Sequence, residues 1–265
     1  RYVPVDSDLV LSYRETSDGQ VLEEGITEAG STASFQAAAT SYATHGHPMI
    51  PFYIYYSMFG FQRTGDQIYA LGDARARGFM MGATAGRTTL AGEGLQHAAG
   101  HSPILASTIP NIRAYDPAYA YELAAIVREG IERMYVTGED VFYYISLYNE
   151  NYPQPAKPDG IDEGLIRGIY RLRAAPDLGR TANHARLVGS GPILNLVVEA
   201  RELLAEKFGI AAEVYSAPSF PLLRRDALAA QRRNRPPPAP KSRQGPHVRP
   251  TLPPIHMPTP RPLPH

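Results

Sequence analysis

The sequence contains no cysteine. This absence excludes disulfide bonds, a thiolate nucleophile and a cysteine-ligated metal site, and it favours a reducing compartment, so we expect a cytoplasmic protein. No apolar run approaches the roughly 18 residues that a membrane-spanning helix needs. The first residues, RYVPVDSD, lack both the basic and the apolar region of a secretion signal. We therefore expect neither membrane insertion nor export.

Acidic and aromatic residues are both absent from residues 231–265. This segment holds seven of the 26 Lys and Arg residues and twelve of the 25 prolines, which leaves 19 basic and 26 acidic residues, a net charge of −7, in the remainder. Because proline fixes φ and removes an amide donor, we predict a disordered, polyproline-like tail that joins no core. One alternative function is therefore a binding module whose basic tail docks SH3-like domains or nucleic acid. The lack of aromatic residues to stack on bases argues against nucleic acid.

Strand and helix signals alternate along the rest of the chain. An alanine-rich stretch after an acidic first turn predicts a helix from about Glu24 to Ala43. The almost wholly apolar run Met49–Phe59 predicts a strand buried on both faces. Residues 116 and 117, Asp and Pro, read as the N-cap and first turn of another helix. Shorter apolar runs predict three more strands, at residues 76–86, 111–115 and 140–148. Strands joined in this way imply an α/β fold, with a mostly parallel sheet flanked by helices and ligands at the carboxyl ends of the strands.

The pattern predicts two domains and a tail. Residues 1–177 form the first domain, and residues 178–225 give one strand–helix–strand unit of a second α/β domain. Residues 226–265 form the Pro/Arg-rich tail. Since a single such unit has too little core to stand alone, and since the sequence does not begin with Met, we expect a fragment of a longer protein.

Three common motifs are approached but not matched. The string GSGPIL has the first two glycines of a dinucleotide-binding fingerprint, but Leu194 stands where the third belongs. GATAGRTT has one residue too few between its glycines for a phosphate loop, and Arg87 takes the place of the lysine. No HExxH pattern frames the paired histidines, so the sequence favours no metal site. Those histidines are His45, His47, His97 and His101.

Glu28 is the first candidate for a functional residue. Most glutamates in a first helical turn are solvated. Here Gly25, Ala29 and Gly30 surround Glu28 with almost no side chain, so another surface could approach closely. We therefore predict a buried carboxyl.

The end of the aromatic run supplies further candidates. Most of the run is expected to be core, but Tyr56 and Phe59 fall where a parallel sheet exposes ligand contacts. Arg63 and His97 follow in predicted loops, where polar groups carry function more often than packing.

The sequence resembles the homodimeric decarboxylating component of the bacterial pyruvate dehydrogenase complex in four stretches: EEGITEAGSTASFQAAATSYATHGHPMIPFYIYYSMFGFQRTGDQ, ARGFMMGATAGRTTLAGEGLQH, TIPNIRAYDPAYAYELA and YNENYPQP. The resemblance covers about residues 1–225 and corresponds to the family's pyrimidine-binding domain and the start of its carboxy-terminal domain. It implies a transketolase-like fold and thiamine diphosphate-dependent oxidative decarboxylation of pyruvate. The acetyl group would pass to a lipoyl domain of the dihydrolipoyl acetyltransferase component.

The resemblance also implies that this chain supplies half of a cofactor pocket. In the family, Mg²⁺ and the diphosphate are held by a GDG motif of an amino-terminal domain, which this sequence lacks. The pocket would be completed across a homodimer. We therefore expect the isolated chain to be inactive.

Four residues are assigned to the cofactor by resemblance. Glu28 would hydrogen-bond the pyrimidine ring nitrogen para to the exocyclic amine and favour the imino tautomer, which accepts the proton of the thiazolium carbon. Phe59 would pack on the aminopyrimidine, with Tyr56 and Arg63 beside it.

Two residues are assigned to the substrate. Glu93 and His97 would lie near pyruvate, with His97 as a proton donor or orienting group. After His97 the chain carries Ala98 and Ala99, where the family usually has acidic residues. This difference predicts the loss of a partner that tunes the histidine loop.

Two other interpretations remain open. The proline-arginine tail, where the resemblance ends, has the composition that a reading-frame shift in GC-rich coding sequence would give. Another thiamine enzyme such as transketolase has the same domain, although the string FYIYYSMFGFQR favours the pyruvate enzyme.

Overall fold

The computed structural model describes residues 19–86, 94–179, 181–235 and 245–252. The strands in these ranges are β1 (Phe52–Tyr56), β2 (Phe79–Ala83), β3 (Ile112–Tyr115), β4 (Phe142–Ser146), β5 (Tyr170–Arg173), β6 (Asn183–Gly189) and β7 (Ile210–Ser216). The α-helices are α1 (Glu28–Thr44), α2 (Ser57–Asp73), α3 (Ser102–Ala106), α4 (Ala120–Ile131), α5 (Asp162–Arg167), α6 (Ile193–Phe208), α7 (Phe220–Arg233) and α8 (Val248–Thr251). Within the same ranges, every helix is too short or too polar to span a bilayer.

The strands form two sheets. The first has the order β1-β2-β4-β3, and all of its pairings are parallel. The second has the order β5-β7-β6, in which β6 and β7 are parallel and β5 is antiparallel to β7. The predicted α/β fold with a mostly parallel sheet is therefore confirmed. The domain boundaries at residues 177 and 225 stay predictions.

Strand β1 is shorter and more exposed than the sequence predicts. It is the edge strand of the first sheet, and the residues Phe52 and Ile54 are 48% and 67% exposed. At Ser57 the backbone turns into α2, so Phe59 lies on a helix. The prediction of an eleven-residue strand, Met49–Phe59, buried on both faces was wrong, because an apolar run alone does not distinguish a strand from the first turns of a helix.

Helix α2 lies close against the strand that precedes it. A Cβ atom on Gly60 would overlap the ring of Tyr55, so only glycine permits this approach. Thr64 departs from helical geometry, with φ −126° and ψ 21°, and its hydroxyl donates to the carbonyl of Gly60 at 2.7 Å. The close approach and the kink together set the direction of the helical face that carries the aromatic candidates.

Asp116 ties the two sheets together instead of capping a helix. Its carboxylate accepts hydrogen bonds from Ser146 Oγ at 2.6 Å, from Ser190 Oγ at 2.8 Å and from the Tyr148 hydroxyl. These donors lie at or just beyond the carboxyl ends of β4 and β6, while Asp116 itself follows β3. The predicted N-cap role was wrong, since α4 begins at Ala120, after a cap at Tyr119.

Glu122 forms the second carboxylate junction between the sheets. It is fully buried in the first turn of α4, where it accepts the backbone amides of residues 118 and 119 at 2.5 and 3.3 Å. Its other oxygen accepts the hydroxyls of Tyr170 and Ser216, both at 2.6 Å, from β5 and β7. Burial raises the pKa of Glu122, and these four hydrogen bonds oppose that shift.

Part of the predicted tail folds back onto the second sheet. Helix α7 continues to Arg233, and the backbone amide of His247 donates to Asp226 Oδ2 at 2.5 Å. Val248 and Leu252, one helical turn apart, pack against a buried cluster of Ile169, Tyr215 and Ala217. The expectation that the tail joins no core therefore does not hold for residues 245–252, because their two aliphatic side chains share one face. Residues 236–244 and 253–265 lie outside the described residues.

Glu122→Gln is expected to change how stability depends on pH. Because the folded protein raises the pKa of Glu122, the contribution of this carboxyl to stability is fully present below the unfolded-state value, about 4.3. It is lost as the pH rises through the raised native value. Glutamine does not titrate. Urea titrations between about pH 4 and pH 7 measure the free energy of unfolding of both proteins. The value for the variant minus the value for wild type should therefore rise with pH.

Glu132→Gln is the matched control, since this exposed change after α4 also removes one negative charge. A relative stability of Glu122→Gln that stays constant over the pH range, or that falls, would contradict the raised pKa.

Candidate functional site

The site begins where β1 ends. Tyr56 is the last residue of β1, and Phe59 and Arg63 follow it in the first two turns of α2. Positions spaced by three and four residues share one helical face. The junction therefore presents a phenol, a phenyl ring and a guanidinium side by side at the carboxyl edge of the sheet.

Glu28 reaches this face from a different helix. It is the first residue of α1, after the N-cap Thr27, and the positive end of the helix dipole favours a carboxylate there. Arg63 Nη1 donates to Glu28 Oε1 at 2.6 Å. The Glu28 side chain is 16% exposed and that of Arg63 is 52% exposed. The carboxylate is thus mostly shielded, and one of its hydrogen bonds goes to the neighbouring helix.

The small residues around Glu28 do not produce this shielding. A Cβ atom on Gly25 would meet nothing within 4 Å, and the nearest neighbours of one on Gly30 would be the side chains of Glu24 and Thr27, which precede α1. The carboxylate is covered instead because α1 packs on α2. The sequence analysis attributed the burial of Glu28 to its small neighbours, and that reason was therefore wrong.

Arg63 fills the space between the carboxylate and an aromatic face. Its Cζ lies 4.7 Å from the ring centroid of Phe59, which is cation–π distance. The Phe59 ring is in turn 5.1 Å from the ring of Tyr56. A flat group that stacks on a phenyl face and donates N–H bonds to a carboxylate therefore fits this corner. An aminopyrimidine protonated on its ring nitrogen is also flat and also donates an N–H.

His97 completes the cluster. It ends a short 3₁₀ turn, Leu95–His97, and its Nδ1 lies 3.0 Å from the Tyr56 hydroxyl oxygen. Its ring meets Phe59 edge-on at 5.9 Å and 90°, and Tyr56 at 5.9 Å and 70°. Five of the six predicted site residues are thus brought together. Glu93 lies outside the described residues.

Two contacts that the sequence did not suggest hold the histidine loop on α2. Gln62 Nε2 lies 2.9 Å from His101 Nε2, and the buried Ser102 hydroxyl donates to the carbonyl of Ser57 at 3.2 Å. On α2 the contacts use the side chain of Gln62 and the backbone carbonyl of Ser57. The position of Gln62 directly before Arg63 in the motif SMFGFQR is a signal that would have indicated the first contact, whereas a backbone carbonyl leaves no sequence pattern.

Tyr53 also supports the site without having been predicted. Its hydroxyl donates to the backbone carbonyl of Glu28 at 3.2 Å, and Thr32 Oγ1 donates to the same carbonyl at 2.6 Å. Burial raises the pKa of the Tyr53 hydroxyl, so it stays a donor at neutral pH. Among the described residues, no group of three or more His, Cys, Asp or Glu could hold a metal ion.

The chain matches two domain families. The pyruvate dehydrogenase E1 component middle domain matches residues 1–155, and the transketolase-like C-terminal domain matches residues 168–244. The pyruvate dehydrogenase E1 component of Pseudomonas aeruginosa is 59% identical over 243 residues, which are 92% of this chain and 27% of that protein. The proteins of the same name from Corynebacterium glutamicum and Escherichia coli K12 are 57% and 53% identical, with 88% of this chain and 26% of each relative covered. The chain spans about a quarter of the length of these relatives.

Solved structures show the fold. A transketolase from Leishmania mexicana superposes with a TM-score of 0.57 at 17% identity. The match covers 76% of this chain and 27% of the transketolase chain. A Pichia stipitis transketolase gives a TM-score of 0.50 at 20% identity, and the match covers 64% of this chain and 23% of the transketolase chain. The transketolase-like fold expected from the sequence is thereby confirmed.

Arg63→Met is expected to lower the free energy of unfolding by no more than about 1 kcal/mol. The reason is that Arg63 is half exposed, so water and salt screen its attraction to Glu28. Methionine keeps most of the aliphatic stem over Phe59. Urea denaturation at low and high salt measures the change, with Arg128→Met as the control at an exposed 3.5 Å pair with Asp162. A loss several times that of the control would mean that the pair is a structural element.

Proposed function

Because the chain belongs to the pyruvate dehydrogenase E1 component family, we propose that it forms the pyrimidine-binding part of an enzyme that decarboxylates pyruvate with thiamine diphosphate. The middle-domain match covers more than half of the chain, so the resemblance seen in the sequence is confirmed. One observation supports the assignment of the site above the others. It is the placement of a shielded carboxylate, Glu28, beside an aromatic face, Phe59, with a planar cation between them.

Glu28 is proposed to hold the cofactor's pyrimidine. When bound, thiamine diphosphate supplies an acidic thiazolium carbon and an electron sink for decarboxylation. The Glu28 carboxyl would bond the ring nitrogen para to the exocyclic amine and so favour the imino form. In this arrangement the pyrimidine takes the place that the Arg63 guanidinium holds over Phe59. Arg63 would remain beside the ring as a cation for the carboxylate.

Tyr56, Phe59 and His97 are proposed to line the same pocket. Phe59 would stack on the pyrimidine, since an aromatic face suits a flat electron-poor ring. His97 would donate a proton to, or orient, an oxygen of pyruvate. Glu93 keeps its proposed substrate role from the resemblance alone.

The proposal extends to partners that lie outside this sequence. By the family resemblance, Mg²⁺ and the diphosphate would be held by the GDG motif of an amino-terminal domain, and this sequence contains no GDG. The complete enzyme would be a cytoplasmic homodimer, and its acetyl group would pass to a lipoyl domain of the dihydrolipoyl acetyltransferase component.

Glu28→Gln should abolish most catalysis in a complete enzyme. Residues 19–216 would replace the matching segment of the Pseudomonas aeruginosa relative, which is 59% identical to this chain. We expect the chimera to release carbon dioxide from pyruvate, and the glutamine variant to lose on the order of 100-fold or more in kcat, because an amide is a poor acid or base.

Glu23→Gln is the control for that experiment, as the same substitution at an exposed position five residues earlier. The control should retain the turnover of the parent chimera. Turnover of the Glu28→Gln chimera within a few-fold of its parent would remove Glu28 from the mechanism.

The isolated chain, supplied with thiamine diphosphate and Mg²⁺, is expected to show no pyruvate turnover. The proposed pyrimidine contacts lie in this chain, whereas the GDG motif that holds Mg²⁺ and the diphosphate in the family does not occur in its sequence. A coupled assay of carbon dioxide release measures this directly, with the chimera as the positive control. Substantial turnover by the isolated chain would show that it carries a complete pocket.

A further inference from the structure

The first turn of α1 is bonded to its neighbours through backbone carbonyls as well as through the Glu28 side chain. Gln67 Nε2 donates to the carbonyl of Ala29 at 3.0 Å. The carbonyl of Glu28 accepts the hydroxyls of Tyr53 at 3.2 Å and of Thr32 at 2.6 Å. A carbonyl oxygen can only accept, so each of these bonds has one direction. The backbone of this turn is therefore held from β1 and from α2.

Gln67 and Arg63 reach the same turn of α1 from one face of α2. They are four residues apart, a spacing that places two side chains on one helical face, and the kink at Thr64 lies between them. Arg63 Nη1 bonds the Glu28 carboxylate at 2.6 Å, while Gln67 bonds the backbone one residue further on. Helix α2 thus holds α1 by one contact to a side chain and one to the backbone.

The two contacts differ in what a ligand of the carboxylate would do to them. In the proposed function, the pyrimidine takes the place that the Arg63 guanidinium holds over Phe59, so this contact has to be exchangeable. The Gln67 contact goes to a backbone oxygen, for which a ligand of the Glu28 carboxylate does not compete. It can therefore hold the turn both before and after that exchange.

We propose that Gln67 is a positioning residue that keeps Glu28 directed at Phe59 while its carboxylate exchanges Arg63 for the cofactor. The inference deepens the proposed function and rests on it, because it names a residue that acts through Glu28. Gln67 does so by fixing the backbone of the first turn of α1, without bonding the carboxylate.

The first test needs no cofactor and no turnover. Nuclear magnetic resonance measures the rates at which the backbone amides of residues 30–33 exchange with solvent in the full chain. Gln67→Met keeps a side chain of similar length but removes the donor. It should speed this exchange roughly three- to tenfold, as expected for the loss of one hydrogen bond.

Gln62→Met is the matched control for the exchange measurement. It makes the same substitution on the same helix, but Gln62 contacts His101 in the histidine loop instead of α1. The exchange rates of residues 30–33 should stay within about twofold of wild type in this variant.

The second test asks whether Gln67 acts through Glu28. Calorimetry measures the affinity of the chimera for thiamine diphosphate, and the carbon dioxide assay measures kcat. Gln67→Met should lower both severalfold when Glu28 is present and should have no further effect on Glu28→Gln, because the carboxylate that it positions is then gone. A purely structural role would lower both quantities by the same factor in the two backgrounds.

Two results would overturn the proposal: exchange rates in a folded Gln67→Met chain that equal those of wild type, or equal losses of affinity with and without Glu28. Should Gln67→Met fail to fold by circular dichroism, Gln67→Ala removes the same donor with a residue that favours helix. A chimera that neither binds thiamine diphosphate nor turns over pyruvate would count against the proposed function. The exchange rates of the isolated chain would be unaffected, so the two failures are distinguishable.

Discussion

The packing of α1 on α2 is the constraint on which the site depends. It brings the first residue of α1 to the second turn of α2, where Glu28 and Arg63 bond, although β1 separates the two helices along the chain. Because the guanidinium also lies over Phe59, a single side chain fixes the carboxylate relative to the aromatic face. The bond can form only because Gly60 allows α2 to lie against Tyr55, which brings the second turn within reach of α1.

The parallel topology places this cluster and the Asp116 junction at the same edge of the first sheet. The carboxyl ends of parallel strands share one edge, so the ends of β1, β3 and β4 lie together. Asp116 uses that edge to bind the second sheet through Ser146 and Ser190, and α2 uses it to present the aromatic side chains. One edge therefore carries both the junction between the sheets and the candidate pocket.

The structure brings five of the six candidate residues together, but the elements that carry them differ from those that the sequence predicted. Hydrophobic periodicity and composition identified the alternation of strands and helices. Nothing in the run Met49–Phe59 marks the change from strand to helix at Ser57, because both elements use apolar residues there. Asp116 followed by proline has the local chemistry of a helix cap, yet its hydroxyl partners come from residues 30 to 74 positions away. Long-range partners of this kind leave no local pattern. Family resemblance supplied Glu28, Phe59 and His97, which local propensity could not have distinguished from ordinary helix and core residues.

The carboxylates differ in how firmly they are held, and the difference fits the cofactor-binding role proposed for Glu28. Asp116 and Glu122 are buried and accept three or more hydrogen bonds each, and bonds to charged groups contribute about 1.5–3 kcal/mol apiece. The Glu28 carboxylate faces a half-exposed arginine, a pairing that contributes about 1 kcal/mol or less. A scaffold carboxylate must not exchange its partners, whereas a ligand-binding carboxylate must. A flat donor that stacks on Phe59 can therefore displace Arg63 at little cost, while the junctions that hold the two sheets stay in place.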